Sequence, residues 1–260
     1  MATSTKIVLT VEYDGTCYHG FQLQTDQPTI QGELEEALWK LSGEKSRVAA
    51  ASRTDAGVHA KGQVVSFRTR SSLPSLTFVK GLNHYLARDI AVKEAFRVSD
   101  SFNVRRDATS REYNYYILNS PTRSPIRRGF SYLVPGGLDI KAMNQAGQAL
   151  IGKHDFASFA TCLEPRIKST VRNIYQAKIE KTGDLVIFNV VASSFLPHQV
   201  RNTVGALIEV GLGKMTVDDF YSIVEMKRPG LAGPTAPACG LCLMRVIYPH
   251  PLEEIQNENL

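Results

Sequence analysis

ASRTDAGVHAKGQVVSF, residues 51–67, sets an Arg-Thr-Asp-Ala-Gly turn directly before a strand-like run. Asp55 lies among Arg53, two small residues and Gly57. A loop that ends in a strand holds such a carboxylate rigidly, while a nearby glycine lets a second backbone or a ligand approach. A guanidinium two residues away favours the ionised carboxylate, which suits a nucleophile or electrostatic stabiliser better than a proton donor. The same letters also fit a structural Asx turn with a surface ion pair. Taken by itself, the loop leaves both readings open.

Outward from this loop the periodicity alternates between strands and helices, without repeats or low-complexity segments, so the fold class is α/β or α+β. KIVLTVEY (6–13) places Ile7, Leu9, Val11 and Tyr13 on one face and stops at the turn signal Asp14-Gly15-Thr16, which predicts a half-buried strand. TIQGELEEALWKLSG (29–43) spaces Ile30, Leu34, Ala37, Leu38 and Leu41 helically, with Pro28-Thr29 at its start and Gly43 at its stop. A helix around 75–88 and a strand over 89–98 complete a first lobe ending near residue 105. A strand at 111–119, a helix near 139–151, a hairpin of 171–181 and 185–193 around Thr182-Gly183-Asp184, and a helix over about 197–212 follow. TVDDFYSIVEMK (216–227) begins with Thr216 and carries Asp219 three residues on, a capping-box spacing, and a strand at 240–248 closes the second lobe.

A chain of 260 residues that is 43% hydrophobic buries one large core or two modest ones. The N-terminal MATSTKIVLT has neither a signal-peptide apolar core nor an Arg-rich leader, and the apolar runs are strand-length, so a soluble cytoplasmic protein without a membrane span is expected. Cys17, Cys162, Cys239 and Cys242 are too few and too scattered for a disulfide framework, and are expected to be free thiols. The net charge of +5 is small but clustered: Arg105, Arg106, Arg111, Arg123, Arg127 and Arg128 face only Asp107 and Glu112 over that stretch, with Tyr113, Tyr115 and Tyr116 interleaved. Interleaved arginines and aromatics suit a surface that tracks phosphates and stacks bases, although a solvated basic face over core tyrosines has the same composition.

Other chemistry is poorly supported. Cys239 and Cys242 form one CxxC without a second pair at metal spacing, and six scattered histidines make no HxE or HExxH arrangement, so no metal is predicted. Gly136-Gly137 lacks a phosphate-loop framework, and Gly211-Leu212-Gly213-Lys214 reads as a helix C-cap.

YDGTCYHGFQLQ (13–24), TIQGELEEAL (29–38), SRTDAGVHAKGQVVSF (52–67), LNHYLARDIAV (82–92), REYNYYI (111–117), FLPHQVRNTVGALIEVGLGK (195–214) and AGPTAPACGL (232–241) together resemble the TruA-type tRNA pseudouridine synthases, in content and order, across about residues 7–248. The resemblance implies an α+β pseudouridine-synthase fold of two α/β lobes, 1–105 and 106–260, with mostly antiparallel sheets joined across a central active-site cleft. It implies an isomerase that converts uridine to pseudouridine at positions 38–40 of the tRNA anticodon stem-loop, without metal or organic cofactor, and a homodimer.

Carried over by motif, the resemblance makes Asp55 the catalytic aspartate and Arg53 a residue that holds a phosphate or orders the flipped nucleotide. Arg201 corresponds to an arginine that pairs with the aspartate, Tyr113 to a tyrosine that stacks on uracil, and Leu241 to an apolar residue that closes the uracil pocket. Arg105 joins them as a substrate-binding candidate, and Tyr115, one strand repeat from Tyr113, is assigned to packing. Three positions depart from the pattern: Ser52 for a glycine, Asn103 for a histidine and Gln199 for a methionine. A non-catalytic tRNA-binding module would use the same basic cleft but has no reason to keep Asp55, Tyr113 and Arg201 together. A glycoside hydrolase would need a second carboxylate beside Asp55, and none is evident.

Overall fold

The computed structural model describes residues 4–161 and 168–257. The fold is α+β, with ten strands, mostly antiparallel, and six α-helices among the described residues. Packing groups residues 1–111 with 242–260 as one unit and residues 112–241 as a second.

In the first unit β1 (Thr5–Tyr13), α1 (Ile30–Ser42), β2 (Ala49–Ala50), β3 (His59–Thr69), α2 (Ser75–Tyr85) and β4 (Ile90–Val98) follow in order. β1 lies centrally: it pairs antiparallel with both β3 and β4, Leu9 standing opposite Val65 and Ala95. α1 starts where Thr29 Oγ1 accepts from Gly32 N–H and ends at Gly43, whose φ of +74 costs a glycine no steric strain. The structure corrects the half-buried reading of β1. Val8, on the opposite face from Ile7 and Leu9, is also fully buried, in a cluster with Ala51, Val64, Phe96, Val98, Phe102 and Val104.

The second unit holds β5 (Ser110–Leu118), β6 (Tyr132–Leu133), α3 (Ile140–Gln148), β7 (Gly152–Asp155), β8 (Val171–Thr182), β9 (Leu185–Ala192), α4 (Gln199–Gly211) and α5 (Val217–Met226). Its strands lie in the order β5-β9-β8-β7, with β6 alongside β5. β8 and β9 form the expected hairpin across two residues, and Gly183 at φ +57 supplies the first position of that turn. α4 is buried on nearly every side, including polar Gln199, Asn202 and Thr203. Gly205 permits this: a Cβ there would fall on the Pro234 carbonyl oxygen.

The chain then returns to the first unit as β10 (Leu241–Ile247) and α6 (Leu252–Asn257). β10 runs parallel to β3, with Cys242 opposite His59, and Val246, Tyr248, Leu252 and Ile255 pack on the Val8 cluster. Cys17, Cys239 and Cys242 are free thiols, and Cys162 lies outside the described residues. Burial raises the Cys239 and Cys242 thiols, the latter to about 11. No described helix is long and apolar enough to cross a membrane.

Candidate active site

The carboxylate of Asp55 is carried on a turn that the preceding segment clamps from several sides. Val58 N–H donates to Asp55 C=O at 3.1 Å, and Gly57 takes φ +76, the positive value that the third residue of a type II turn requires. The loop after β1 lies against this turn. Phe21 N–H donates to Thr54 C=O at 3.0 Å, and Gly57 N–H donates to Tyr18 C=O at 3.3 Å. Thr54 Oγ1 and Tyr13 Oη share a buried hydrogen bond of 2.8 Å. Gly15 lies so close that a Cβ would fall on the Val58 carbonyl oxygen, and a Cβ on Gly20, at φ +92, would lie 2.8 Å from Thr54 O. The Gly15 main-chain N–H donates to buried His59 Nδ1 at 3.1 Å, and Asp14 Oδ1 lies 3.1 Å from the same nitrogen. Beneath the turn, Gln63 Nε2 donates to Ser52 C=O at 2.6 Å while Gln63 Oε1 accepts from Ser52 N–H at 3.3 Å. Asp55 itself is half-buried and Arg53 is exposed.

In the second unit β5 presents Tyr113 and Tyr115 on its buried face, while Glu112 and Asn114 on the other face accept from Asn189 Nδ2 at 2.7 Å each. The two tyrosines differ in environment. Tyr115 is 0% exposed, donates from Oη to Pro237 C=O at 2.7 Å, and packs so tightly that a Cβ on Gly240 would lie 2.6 Å from its ring. Burial pushes its phenol well above the ordinary tyrosine range, Cys239 adding to the shift and the Arg201 charge opposing it. Tyr113 is 5% exposed and meets Phe195 edge-on, with ring centroids 5.3 Å apart.

Arg201 sits in the first turn of α4, and that turn is stitched to the segment 232–241. Arg201 Nε donates to Ala236 C=O at 2.8 Å, and Ala236 N–H donates back to Arg201 C=O at 3.1 Å. Thr235 Oγ1 donates to Asn202 Oδ1 at 2.6 Å, while Asn202 Nδ2 donates to Phe159 C=O at 2.8 Å. Leu241 follows, buried, at the first position of β10.

The basic stretch resolves into different kinds of arginine. Arg111 is buried, and its guanidinium donates to the carbonyls of Ala51, Arg105 and Ala108 at 3.2, 2.7 and 3.2 Å, so it is held by backbone of its own unit rather than facing solvent. Arg106 is paired with Asp107 at 2.7 Å, and this hydrogen bond holds the Asp107 carboxyl below the usual carboxylate range. Arg105, Arg123, Arg127 and Arg128 are exposed.

The three departures have local reasons. Ser52 needs no glycine, because positive φ outside glycine occurs among the described residues only at Asp26, His198 and Lys227. Asn103 Oδ1 accepts from the N–H groups of Arg105 and Arg106 at 3.0 Å each, and Asp107 Oδ2 accepts from Asn103 N–H at 2.8 Å, a closed polar turn. Gln199 Oε1 accepts from Leu196 N–H at 2.8 Å, which caps the turn before α4, although Gln199 Nε2 has no partner among the described residues. Sequence reasoning missed His59, Gln63, Phe195 and Asn202 as supports. The block YDGTCYHGF carried a signal, because two closely spaced glycines beside a strand end mark a backbone approached by another.

Comparison with known proteins identifies the family. A family model described as tRNA pseudouridine synthase matches residues 9–107 and 146–249. The tRNA pseudouridine synthase A of Pelobacter propionicus is 44% identical over 244 residues, covering 93% of this chain and 99% of its own. The protein of the same name from Myxococcus xanthus is 43% identical over 94% of this chain and 92% of its own, and that from Borrelia duttonii 39% identical over 94% and 99%. Matches that include both the clamped Asp55 turn and the α4 segment mean that this chain belongs to the tRNA pseudouridine synthase family and is an isomerase.

Proposed function

We propose that this protein isomerises uridine to pseudouridine at positions 38–40 of the tRNA anticodon stem-loop, with Asp55 as the group that acts on the ribose. The observation that carries the reading is the clamp on the Asp55 turn: a structural Asx turn does not need two glycines, a buried histidine and a buried glutamine to fix it. Such preorganisation is what a group needs when it must act at one atom of a bound substrate.

The reaction breaks the C1′–N1 bond, turns the detached uracil while it stays bound, and joins C1′ to C5; C5 then loses its proton and N1 gains one, so the net change is an isomerisation. A carboxylate beside the sugar either attacks C1′ to give an ester-like adduct or removes the 2′ proton to give a glycal. Asp55 takes this role, and Arg201 acts as the guanidinium that keeps it ionised and aimed. The Tyr113 ring stacks on the flipped uracil, worth about 1–3 kcal/mol against the few kcal/mol of unstacking, and its phenol helps to remove the C5 proton. Leu241 closes the pocket against water, so that C1′ is not intercepted. Arg53 and Arg105 hold backbone phosphates. The same resemblance supports a cytoplasmic homodimer.

Asp55→Asn is the direct test. The variant is expected to lose release of tritium from C5-labelled uridine in tRNA, with tRNA affinity within a few-fold of wild type. Turnover at the wild-type rate would refute the assignment.

A further inference from the structure

Residues 113–138 contain no Asp or Glu but three arginines, Arg123, Arg127 and Arg128. All three are exposed on the segment that joins β5 to β6. That segment is built rather than loose. Arg127 N–H donates to Ser124 C=O at 3.2 Å and Phe130 N–H to Arg127 C=O at 3.0 Å, giving two successive turns. Ser131 Oγ donates to the Arg127 carbonyl at 3.0 Å, and Cys239 Sγ reaches Ser131 C=O at 3.7 Å. The turns are therefore anchored at Ser131 to Cys239, two residues before Leu241. On them Ile126 is 92% exposed and Phe130 51% exposed.

Beside the arginines, Ile126 and Phe130 add exposed apolar surface to the same ordered turns. Guanidinium groups match phosphate oxygens, and an aliphatic side chain with a ring beside it matches the faces of ribose and base. Arg106 and Arg111 from the same basic stretch are committed to Asp107 and to main-chain carbonyls, so they do not supply this contact. We propose that residues 123–130 form a docking tip for the tRNA backbone, in which the three arginines neutralise phosphates and Ile126 packs on a sugar or base. The tip lies on the segment that follows β5, the strand of Tyr113, so RNA held there is tethered by a short connection to the strand that carries the stacking ring. This inference rests on the function proposed above.

The test uses the full chain, an unmodified tRNA transcript and salt between 50 and 200 mM. Each phosphate contact contributes a slope of about 0.7–0.9 in log affinity against log salt. Across that range wild type is therefore expected to lose about 20- to 40-fold more affinity than the variant R123A/R127A/R128A, if each arginine contacts one phosphate. Ile126→Ser is expected to weaken binding with the salt slope unchanged, and both variants should keep the wild-type melting temperature because the tip is exposed. An unaltered slope in the triple variant would overturn the proposal. So would intact tRNA binding combined with a changed oligomeric state, which would assign the tip to a second copy of the chain. Wild-type protein that binds tRNA with the expected slope but forms no pseudouridine would instead refute the proposed reaction and leave the tip standing.

Discussion

At the scale of single residues, the environment of Asp55 separates support from chemistry. Thr54, Gly57 and Val58 are spent on backbone geometry, while Tyr13, Gly15, Tyr18, Gly20, Phe21, His59 and Gln63 hold that geometry from outside. Gly15→Ala should be the most damaging of the small changes here, because its methyl must displace the Val58 carbonyl. Overpacking of this kind costs roughly 1–3 kcal/mol, so both the melting temperature and the rate of tritium release should fall. A variant as stable and as active as wild type would show that the clamp does not position Asp55. Arg201 poses the complementary question, since its Nε donates to Ala236 C=O and its guanidinium carries the charge that the proposed reaction needs. Loss of a charge-assisted hydrogen bond worth about 1.5–3 kcal/mol predicts a kcat about ten- to a hundred-fold lower for Arg201→Ala. KM for tRNA should change little, and an unaltered kcat would remove Arg201 from the reaction.

Elements were legible in the sequence where a local signal decides them. The Thr29 cap and Gly43 stop bound α1 as expected, Gly183 turns the hairpin, and Thr216 with Asp219 makes the capping box of α5 in both directions. Thr216→Ala should destabilise the protein by about 1 kcal/mol in denaturant unfolding near neutral pH. The Asp219 carboxyl is held below its ordinary value by the Thr216 hydroxyl first and the Thr216 main-chain N–H second. A depressed carboxyl contributes stability that is present above its unfolded pKa and disappears as pH falls through the folded value. The difference between wild type and Thr216→Ala should therefore shrink on acidification below about pH 4; a constant difference would mean that the ionised carboxylate is not part of the cap. What periodicity did not reveal depends on distant partners. Alternation in β1 identified one buried face, but Val8 on the other face is buried in a cluster with residues 51–104, against which Val246, Tyr248, Leu252 and Ile255 pack from far along the chain. Composition likewise counted Arg111 with the basic surface, whereas three main-chain carbonyls hold it inside.

At the scale of the whole molecule, the candidate residues follow the division of the chain. Asp55 and Arg53 belong to the unit of residues 1–111 and 242–260, and Tyr113, Arg201 and Leu241 to the unit of residues 112–241. β10 begins at Leu241 and continues into a strand paired with β3 at His59, the histidine that supports the Asp55 loop. The sequence order of motifs therefore named the candidate residues before any geometry was known, while the return of β10 to β3 was not legible, because strand periodicity carries no record of its partner. The measurement that bears most directly on the function is a map of pseudouridine in tRNA from cells lacking this protein, with wild type or Asp55→Asn returned. Pseudouridine at positions 38–40 should be absent from those cells, restored by wild type and not restored by Asp55→Asn. Persistence of the modification without the protein, or its restoration by Asp55→Asn, would contradict the account.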